Sequence, residues 1–193
     1  MTIRSTDSID GLILSGEAAA GFSANPSEIE CEVISLFDQF RNSLLRYALS
    51  FGLCVHDGEE ITQEVFLALF EHLREGKSRH NLRGWIFKVA HNLALKQRQA
   101  NHRRPGERDS DEGRAEKQAD PAPSPEEQLL SRQRQQHLMA VLDALPERDR
   151  CCLGLRLEGL RYREIGQVLG MSLGAVSISL TRSLARLMRA NER

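Results

Sequence analysis

Cysteine is scarce in this sequence, and its placement does not suggest a metal site or a disulfide bridge. The chain has four cysteines and no CxxC pair: Cys31, Cys54, Cys151 and Cys152. The adjacent Cys151 and Cys152 are poorly placed to bridge each other. We therefore expect buried, reduced thiols in a cytoplasmic protein.

Patterns that mark enzymes are also missing. The six histidines form no HExxH motif, and no nucleophile is paired with a base in a recognisable motif. The sequence therefore predicts no enzymatic activity, no metal site and no cofactor.

Long apolar runs are lacking as well, and none approaches the roughly 20 residues of a membrane-spanning helix. The mildly apolar segment DGLILSGEAAAGFSA has no basic start and contains Glu17, which argues against a signal peptide. We expect no membrane insertion. Apolar residues make up 40% of the chain and aromatics 5%, which favours small helical units over one large core.

Charge is abundant but strongly segregated, although the formal net charge is only −1. Residues 74–104 carry nine Lys or Arg against one acid, and residues 105–127 carry eight acids against three basic residues. From residue 145 to the end, nine arginines oppose five acids. Two basic modules therefore flank an acidic spacer.

The hydrophobic periodicity predicts an all-α protein with two small helical domains. Residues 1–27 show no sustained period and are predicted to form a flexible tail. Residues 28–104 are predicted to form a three-helix bundle. Residues 105–125 combine four prolines with dense charge, which predicts a flexible acidic linker. The helical period resumes in residues 126–193, which form the second predicted domain.

Capping signals predict where the helices of the first domain begin and end. The first helix should end near Gly52. The second should begin at Asp57, whose carboxylate can accept from free amides of the first turn, with Glu60 at the reciprocal capping-box position. The third should extend from about Leu82 to Arg103.

Residues 161–189 predict a helix-turn-helix corner. A steep helix crossing needs a small residue at the contact, a turn residue that tolerates positive φ, and a cap for the second helix. Gly166, Gly170 and Ser172 meet these needs in order. Corners of this kind also occur in proteins that do not bind DNA, so the pattern alone is only moderately specific.

The second helix of this corner has neutral residues where DNA readers usually carry cations. Ser177, Ile178 and Ser179 are predicted on or near the face that would enter a major groove, and none can make arginine's bidentate contact to guanine. We expect a weak reader, with the DNA backbone contacted by Arg161, Arg163, Arg182, Arg186 and Arg189. The alternative is that these arginines only solvate a surface.

Two separate stretches carry a family resemblance. HDGEEITQEVFLALFEHL and NLRGWIFKVAHNLA are similar to region 2 of bacterial sigma-70 factors, and LPERDRCCLGLRLEGLRYREIGQVLGMSLGAVSISLTRSLARL is similar to region 4. The chain thus resembles an extracytoplasmic-function (ECF) sigma factor, with a region-2-like bundle and a region-4-like helix-turn-helix bundle. The resemblance implies a subunit that joins core RNA polymerase, recognises promoter elements near −10 and −35, and helps to open the duplex.

The resemblance assigns contact with the polymerase to the second helix, through the β′ clamp helices, and also implies a contact with the β flap. The second helix offers a mixed polar and apolar surface suited to docking. Its candidate residues are Glu60, Gln63, Glu64, Phe66, Leu67 and Phe70. Without the resemblance, an ordinary acidic surface is the simpler interpretation.

The resemblance assigns the −10 region to the loop after the second helix and to the third helix. Opened strands expose bases that stack on flat side chains while cations follow the phosphates. The candidates are Lys77, Arg79, Arg83, Trp85, Lys88, Asn92, Lys96 and Arg98. Trp85 lies on the apolar stripe of the third helix, which favours a role in the core over a role as a stacking platform for bases.

The resemblance assigns the −35 contact to the helix-turn-helix. The candidates there are Arg161, Arg163, Ser172, Ser177, Ile178, Ser179, Arg182 and Arg186. Family members commonly have a lysine and an arginine near the positions of Ser177 and Ser179, so this contact is expected to be weak. Tethering of both modules by the polymerase is expected to supply the missing affinity.

Two other functions remain open. One is a sigma mimic that sequesters an anti-sigma factor and never initiates transcription. The other is a stand-alone regulator that binds operators as a dimer. An anti-sigma factor is also a partner that the family resemblance implies for a functional sigma factor.

Overall fold

The computed structural model describes residues 26–103 and 135–191, and these residues contain seven helices and no strand. This confirms the all-α prediction. The helices are α1 Pro26–Leu49, α2 Val55–Arg74, α3 Leu82–Arg103, α4 at residues 135–143, α5 Glu147–Leu157, α6 Tyr162–Leu169 and α7 Leu173–Asn191. The predicted tail, apart from its last two residues in α1, and the predicted linker lie outside the described residues.

Helices α1, α2 and α3 pack into the first bundle, because each turns an apolar stripe inward at three- and four-residue steps. Leu44 of α1, Val65 and Leu69 of α2, and Ile86 and Phe87 of α3 are fully buried. Burial of a side chain of this size contributes about 2 kcal/mol. The bounds of α3 agree with the prediction, and α1 ends three residues before Gly52, which has a positive φ.

Helix α2 begins earlier than predicted, and with a different cap. Its N-cap is Cys54, whose sulfur accepts from the Asp57 N–H at 3.4 Å. Asp57 does not cap the helix, because its carboxylate is buried and accepts from the side chains of Gln97 and Asn101 on α3. Glu60 is not in a capping box either, and instead pairs with His56 at 3.4 Å.

Helices α5, α6 and α7 form the second bundle, and its buried side chains are continuous with those of the first bundle. Leu155 and Leu160 meet Ile165 of α6 and Val176 of α7 in this core. Cys151 and Cys152 are buried here as expected, and burial raises the pKa of the Cys151 thiol to about 11. The prediction of buried thiols was wrong for the other two cysteines, which lie exposed on the first bundle; all four are free.

The two bundles are in contact, chiefly through α3 and α6. Arg46 of α1 forms an ion pair with Glu158 at 2.7 Å, and Asn81 donates to the side-chain oxygen of Gln167 at 3.0 Å. Arg83 donates to the backbone carbonyl of Glu158. The basic surface of the first bundle therefore faces the second bundle across part of its area.

Within the described ranges, no single helix is long and apolar enough to cross a membrane. Helix α6 together with Leu173–Ala190 meets the length and composition criteria only as a pair bent by 103°.

Candidate nucleic-acid interface

The corner between α6 and α7 is built as the sequence predicted. A Cβ at Gly166 would lie 2.7 Å from the Met171 carbonyl oxygen, so only glycine allows this close approach. Gly170 ends α6 with φ 64°, in the left-handed region. The Ser172 hydroxyl accepts from the Ala175 N–H at 3.2 Å and thus caps α7.

The predicted reading face of α7 contains two of its three expected residues. Ser177 is exposed, and Ile178 is 66% exposed. Ser179 was wrongly predicted there, since it is only 2% exposed and its hydroxyl donates to Asp149 of α5 at 2.7 Å. The reason is geometric: a two-residue step moves a side chain about 200° around a helix, which places Ser179 on the side facing α5.

Arg182 of α7 is engaged with the same carboxylate. Its Nε donates to Asp149 at 2.9 Å and its Nη2 at 2.7 Å, which is a bidentate pair. Burial alone would raise the pKa of Asp149, but hydrogen bonds from Arg182 and Ser179 outweigh it and hold that pKa below its usual value. Asp149 is therefore a carboxylate at neutral pH, although it is only 2% exposed.

The Arg182 side chain remains 51% exposed, and the other predicted cations of the second bundle are also on its surface. Arg161, Arg163 and Arg186 are exposed. The backbone N–H of Arg161 donates to the Glu164 carboxylate at 2.6 Å, which fixes the start of α6. Arg186 and Arg189 also line a groove of about 590 Å³ between α4 and α7, whose other walls are mostly alanine and valine.

The loop between α2 and α3 presents its cations outward. Gly76 and Asn81 have φ of 69° and 54° and give the loop its shape. The ring N–H of His72 donates to the Ser78 carbonyl at 2.9 Å and anchors the loop from below. Lys77 and Arg79 are exposed and form ion pairs with Glu75 at 2.7 Å and Glu32 at 3.5 Å.

Trp85 is half-buried, with its ring 4.7 Å from the ring of His72. It packs against the hydrophobic core, which supports the structural interpretation that the sequence favoured. Part of the indole stays accessible next to the loop, so the residue borders the surface that the loop cations form.

The cations of α3 divide into exposed and engaged residues. Lys96 is exposed, Lys88 is half-buried, and the neutral candidate Asn92 is exposed. Arg98 forms an ion pair with Glu147 of α5 at 2.9 Å. Arg83 was expected on the DNA-facing surface, but its guanidinium lies between the Phe40 ring, 5.9 Å away, and the second bundle. Arg83 therefore belongs, in this arrangement, to the contact between the bundles.

The predicted docking surface on α2 is mostly present. Glu60, Gln63 and Glu64 are exposed, and Leu67 is 62% exposed; Phe70 is half-buried. Phe66 was wrongly included: it is 5% exposed and its ring packs edge-on against Phe37 with centroids 5.0 Å apart. The sequence alone does not show that the Phe66 side chain points toward α1 while that of its neighbour Leu67 points outward.

Sequence reasoning missed the buried carboxylates Asp57 and Asp149. The local pattern predicts Asp57 as a cap and indicates no role for Asp149, because both lie in the first turn of a helix, where acids are common on the surface. Their partners lie 30 to 44 positions away in the chain, and no local pattern connects them.

Family models match both bundles. The model described as "Sigma-70 region 2" matches residues 36–104, and the one described as "Sigma-70, region 4" matches residues 135–187. Together they cover more than half of the chain. The chain belongs to the sigma-70 family. Its curated relatives place it in the ECF group of that family.

Those relatives include the ECF sigma factor SigE of Mycolicibacterium smegmatis, 31% identical over 79% of this chain and 58% of the relative. The probable sigma factor RfaY of Xanthomonas campestris is 30% identical over 75% of this chain and 36% of the relative. The ECF sigma-E factor of Escherichia coli is 28% identical over 70% of this chain and 71% of the relative. The chain thus spans only about a third to three-fifths of the length of RfaY and SigE.

Solved structures support the fold. CnrH, in complex with the cytosolic domain of CnrY, aligns with a TM-score of 0.59 and 19% identity over 85% of this chain and 92% of CnrH. RpoE of Bartonella quintana, in complex with the anti-sigma factor NepR, aligns with a TM-score of 0.61 and 16% identity over 86% of this chain and 98% of RpoE. At these identities the likeness extends to the fold alone.

All the candidate residues except Arg189 lie within the matched ranges. The docking and −10 candidates fall in the region 2 match, and the helix-turn-helix candidates fall in the region 4 match.

Proposed function

We propose that this sigma factor binds core RNA polymerase and directs it to promoters, with the first bundle contacting and opening the −10 element and the second contacting the −35 element. The observation that carries the proposal is the presence of both matched regions in one chain, in the order 2 then 4. A stand-alone helix-turn-helix regulator has no need for the first region. We place this activity in the bacterial cytoplasm.

The docking surface on α2 supports a contact with the β′ clamp helices. Exposed Leu67 lies beside the acidic and amide side chains of Glu60, Gln63 and Glu64, so an apolar centre has a polar border. Protein interfaces commonly combine these features. A second contact, between the second bundle and the β flap, follows from the family alone.

The loop and α3 support the role in opening DNA. Lys77, Arg79 and Lys96 are exposed, and half-buried Trp85 borders them. Cations that follow a phosphate backbone next to an aromatic edge suit a single strand whose bases have left the duplex. The exposed amide of Asn92 adds a group that can hydrogen-bond to a base.

The contact between the bundles has a direct consequence for this function. Arg83 and Arg98 reach DNA only after they leave Glu158 and Glu147 of the second bundle. Promoter elements near −10 and −35 are about 25 base pairs, or roughly 85 Å, apart on B-form DNA. The bundles therefore separate when both elements are bound.

An anti-sigma factor is proposed as a further partner. RpoE of Bartonella quintana was solved with the anti-sigma factor NepR, and CnrH with the cytosolic domain of CnrY. A sigma mimic would share this partner and would lack promoter-specific initiation.

Run-off transcription with core polymerase on genomic fragments tests the proposed function. We expect promoter-specific transcripts that depend on this chain. Absence of initiation on every fragment, together with tight binding to an anti-sigma domain, would establish the sigma mimic instead. Symmetric footprints without polymerase would establish the stand-alone regulator.

Two sets of variants separate docking from DNA opening. The pair Gln63→Arg and Leu67→Ala should reduce co-purification with core polymerase, whereas Asp38→Arg, an exposed change on α1, serves as the control.

The set Arg79→Glu with Lys96→Glu should impair open-complex formation more than assembly of the holoenzyme. Arg148→Glu on α5, a single reversal of an exposed charge outside this surface, is its control. Equal loss of assembly and opening would remove Arg79 and Lys96 from the DNA-opening surface.

A further inference from the structure

The side of α7 that faces α5 carries a connected set of polar groups. Asp149 accepts from the Ser179 hydroxyl at 2.7 Å and from two nitrogens of Arg182 at 2.9 and 2.7 Å. The Ser183 hydroxyl donates to the Ser179 carbonyl at 2.9 Å. Ser179, Arg182 and Ser183 are spaced three and four residues apart, so they form one stripe along the helix.

This set fixes the rotation of α7 about its own axis. A buried carboxylate needs hydrogen bonds and a countercharge, because its desolvation is costly. Asp149 lies in the first turn of α5, and the three hydrogen bonds that its carboxylate accepts come from one stripe of α7. Rotating α7 would break these bonds and leave the carboxylate buried without partners.

The opposite side of α7 is neutral. Gly174, Ser177, Ile178 and Thr181 are exposed and share a stripe on that side, at steps of three and four residues. The arginine nearest to this stripe in sequence is Arg182, and its guanidinium is held by Asp149. The next, Arg186, is a full turn further along the helix.

We propose that Arg182 is a positioning residue of the promoter-reading helix rather than a contact to the DNA backbone. Clamped by Asp149, it orients α7 so that Ser177 and Ile178 meet the base edges. The inference rests on the proposed function, since it names how the −35 contact is made. The base-edge chemistry follows: Ile178 suits a thymine methyl, and the Ser177 hydroxyl suits a donor or an acceptor.

The substitution Arg182→Lys separates positioning from phosphate contact. Lysine keeps the positive charge but cannot form the bidentate fork that arginine makes with a carboxylate. The measurement is the affinity of the reconstituted holoenzyme for a promoter fragment selected by run-off transcription, at several salt concentrations. Positioning predicts about a tenfold loss of affinity with an unchanged salt slope.

The substitution Asp149→Asn supplies the second arm. It should cause a similar loss of promoter affinity. The double variant Arg182→Lys with Asp149→Asn should lose no more affinity than either single variant, because each of the three proteins lacks the same clamp. Arg186→Gln is the matched control for removal of an exposed arginine from α7, where loss of one phosphate contact lowers the salt slope by about one.

Two results would overturn the inference. One is wild-type affinity for Arg182→Lys, since a phosphate contact needs only the charge. The other is losses of affinity that add in the double variant. Hydrogen exchange of the α7 amides in the free chain tests the clamp without polymerase, and both single variants should accelerate it about tenfold or more. This measurement does not depend on holoenzyme assembly. Unchanged exchange would therefore contradict the clamp whether or not the proposed function holds.

Discussion

Asp57 in the first bundle and Asp149 in the second are built into the fold in the same way but hold different partners. Each lies buried in the first turn of a helix, and each ties that helix to the last helix of its bundle. Asp57 accepts from the neutral amides of Gln97 and Asn101, whereas Asp149 accepts from Arg182 and Ser179.

The difference decides where cations remain for DNA. Because the neutral amides of Gln97 and Asn101 satisfy Asp57, this carboxylate engages no lysine or arginine of α3, and Lys96 stays exposed. In the second bundle, the carboxylate takes an arginine from the reading helix itself. A count of positive charges along the sequence therefore overstates what the second bundle offers to a phosphate backbone.

The largest expected effect tests the rigidity of the helix corner in the second bundle. In Gly166→Ala, the new Cβ would meet the Met171 backbone carbonyl at 2.7 Å. Since backbone cannot yield as a side chain does, we expect a loss of about 3 kcal/mol in the free energy of unfolding. Urea unfolding followed by circular dichroism measures it.

Two glycine variants serve as controls for the corner. Gly174→Ala in the first turn of α7 meets nothing within 4 Å and should be neutral or slightly stabilising. In the first bundle, Gly84→Ala would meet only the Asn81 side chain, which can move, so a smaller loss is expected. A cost for Gly166→Ala no greater than that for Gly84→Ala would show that the backbone contact at Gly166 yields as easily as the side-chain contact at Gly84.

The next effect is a pH dependence of stability that arises in the first bundle. His91 of α3 is buried, and the Tyr47 hydroxyl lies 2.9 Å from its Nδ1; burial lowers its pKa from 6.5 to about 4. Between these values the unfolded chain binds a proton that the folded chain does not. Stability is therefore lost as pH falls from 6.5 toward 4, by about 3 kcal/mol for a shift of this size.

His91→Gln should flatten that dependence, because glutamine can still accept from Tyr47 and does not titrate. Urea unfolding of both proteins at pH 7, 6, 5 and 4 provides the comparison. The pKa values of Asp57 and Asp149 are lowered, so their stabilisation is lost only as pH falls below about 5, and the loss between pH 6.5 and 5 is the part assigned to His91. An unchanged slope in the variant would assign the window to another group.

Helix positions and the corner could be predicted from the sequence because they depend on local signals. The periodicity placed α3 at its observed bounds, and Gly166, Gly170 and Ser172 identified the turn. The N-terminus of α2 could not be placed correctly, because Asp57 is a better cap than Cys54 in isolation but is needed by α3 instead.

The site was predicted less completely, for a related physical reason. Exposure of one side chain depends on the rotation of its helix against neighbours that are distant in the chain. Phe66, Arg83 and Ser179 were placed on surfaces by residue type and spacing, and each is taken up by a partner on another helix. The resemblance to sigma regions 2 and 4 identified the interfaces but not which of their residues are free.

A smaller effect compares the two buried carboxylates directly. Asp57→Asn removes the charge and places an amide donor against the amide donors of Gln97 and Asn101, which leaves one donor unpaired. We expect a loss of about 1 to 2 kcal/mol in stability. Because no cation is released or captured, the salt slope of promoter binding by the holoenzyme should not change. A changed slope would mean that Asp57 also governs the cations of α3.

The smallest expected effect concerns the contact between the bundles. Arg46 donates to both carboxylate oxygens of Glu158, at 3.0 and 2.7 Å. The Glu158 side chain is 10% exposed but the Arg46 side chain is 61% exposed, so water and salt weaken the pair. A double-mutant cycle with Arg46→Gln and Glu158→Gln should give a coupling energy of about 0.5 kcal/mol, smaller at high salt. This weakness suits bundles that separate on a promoter, since a strong pair would oppose holoenzyme formation. A coupling above about 2 kcal/mol would contradict that view and make the pair a principal lock between the bundles.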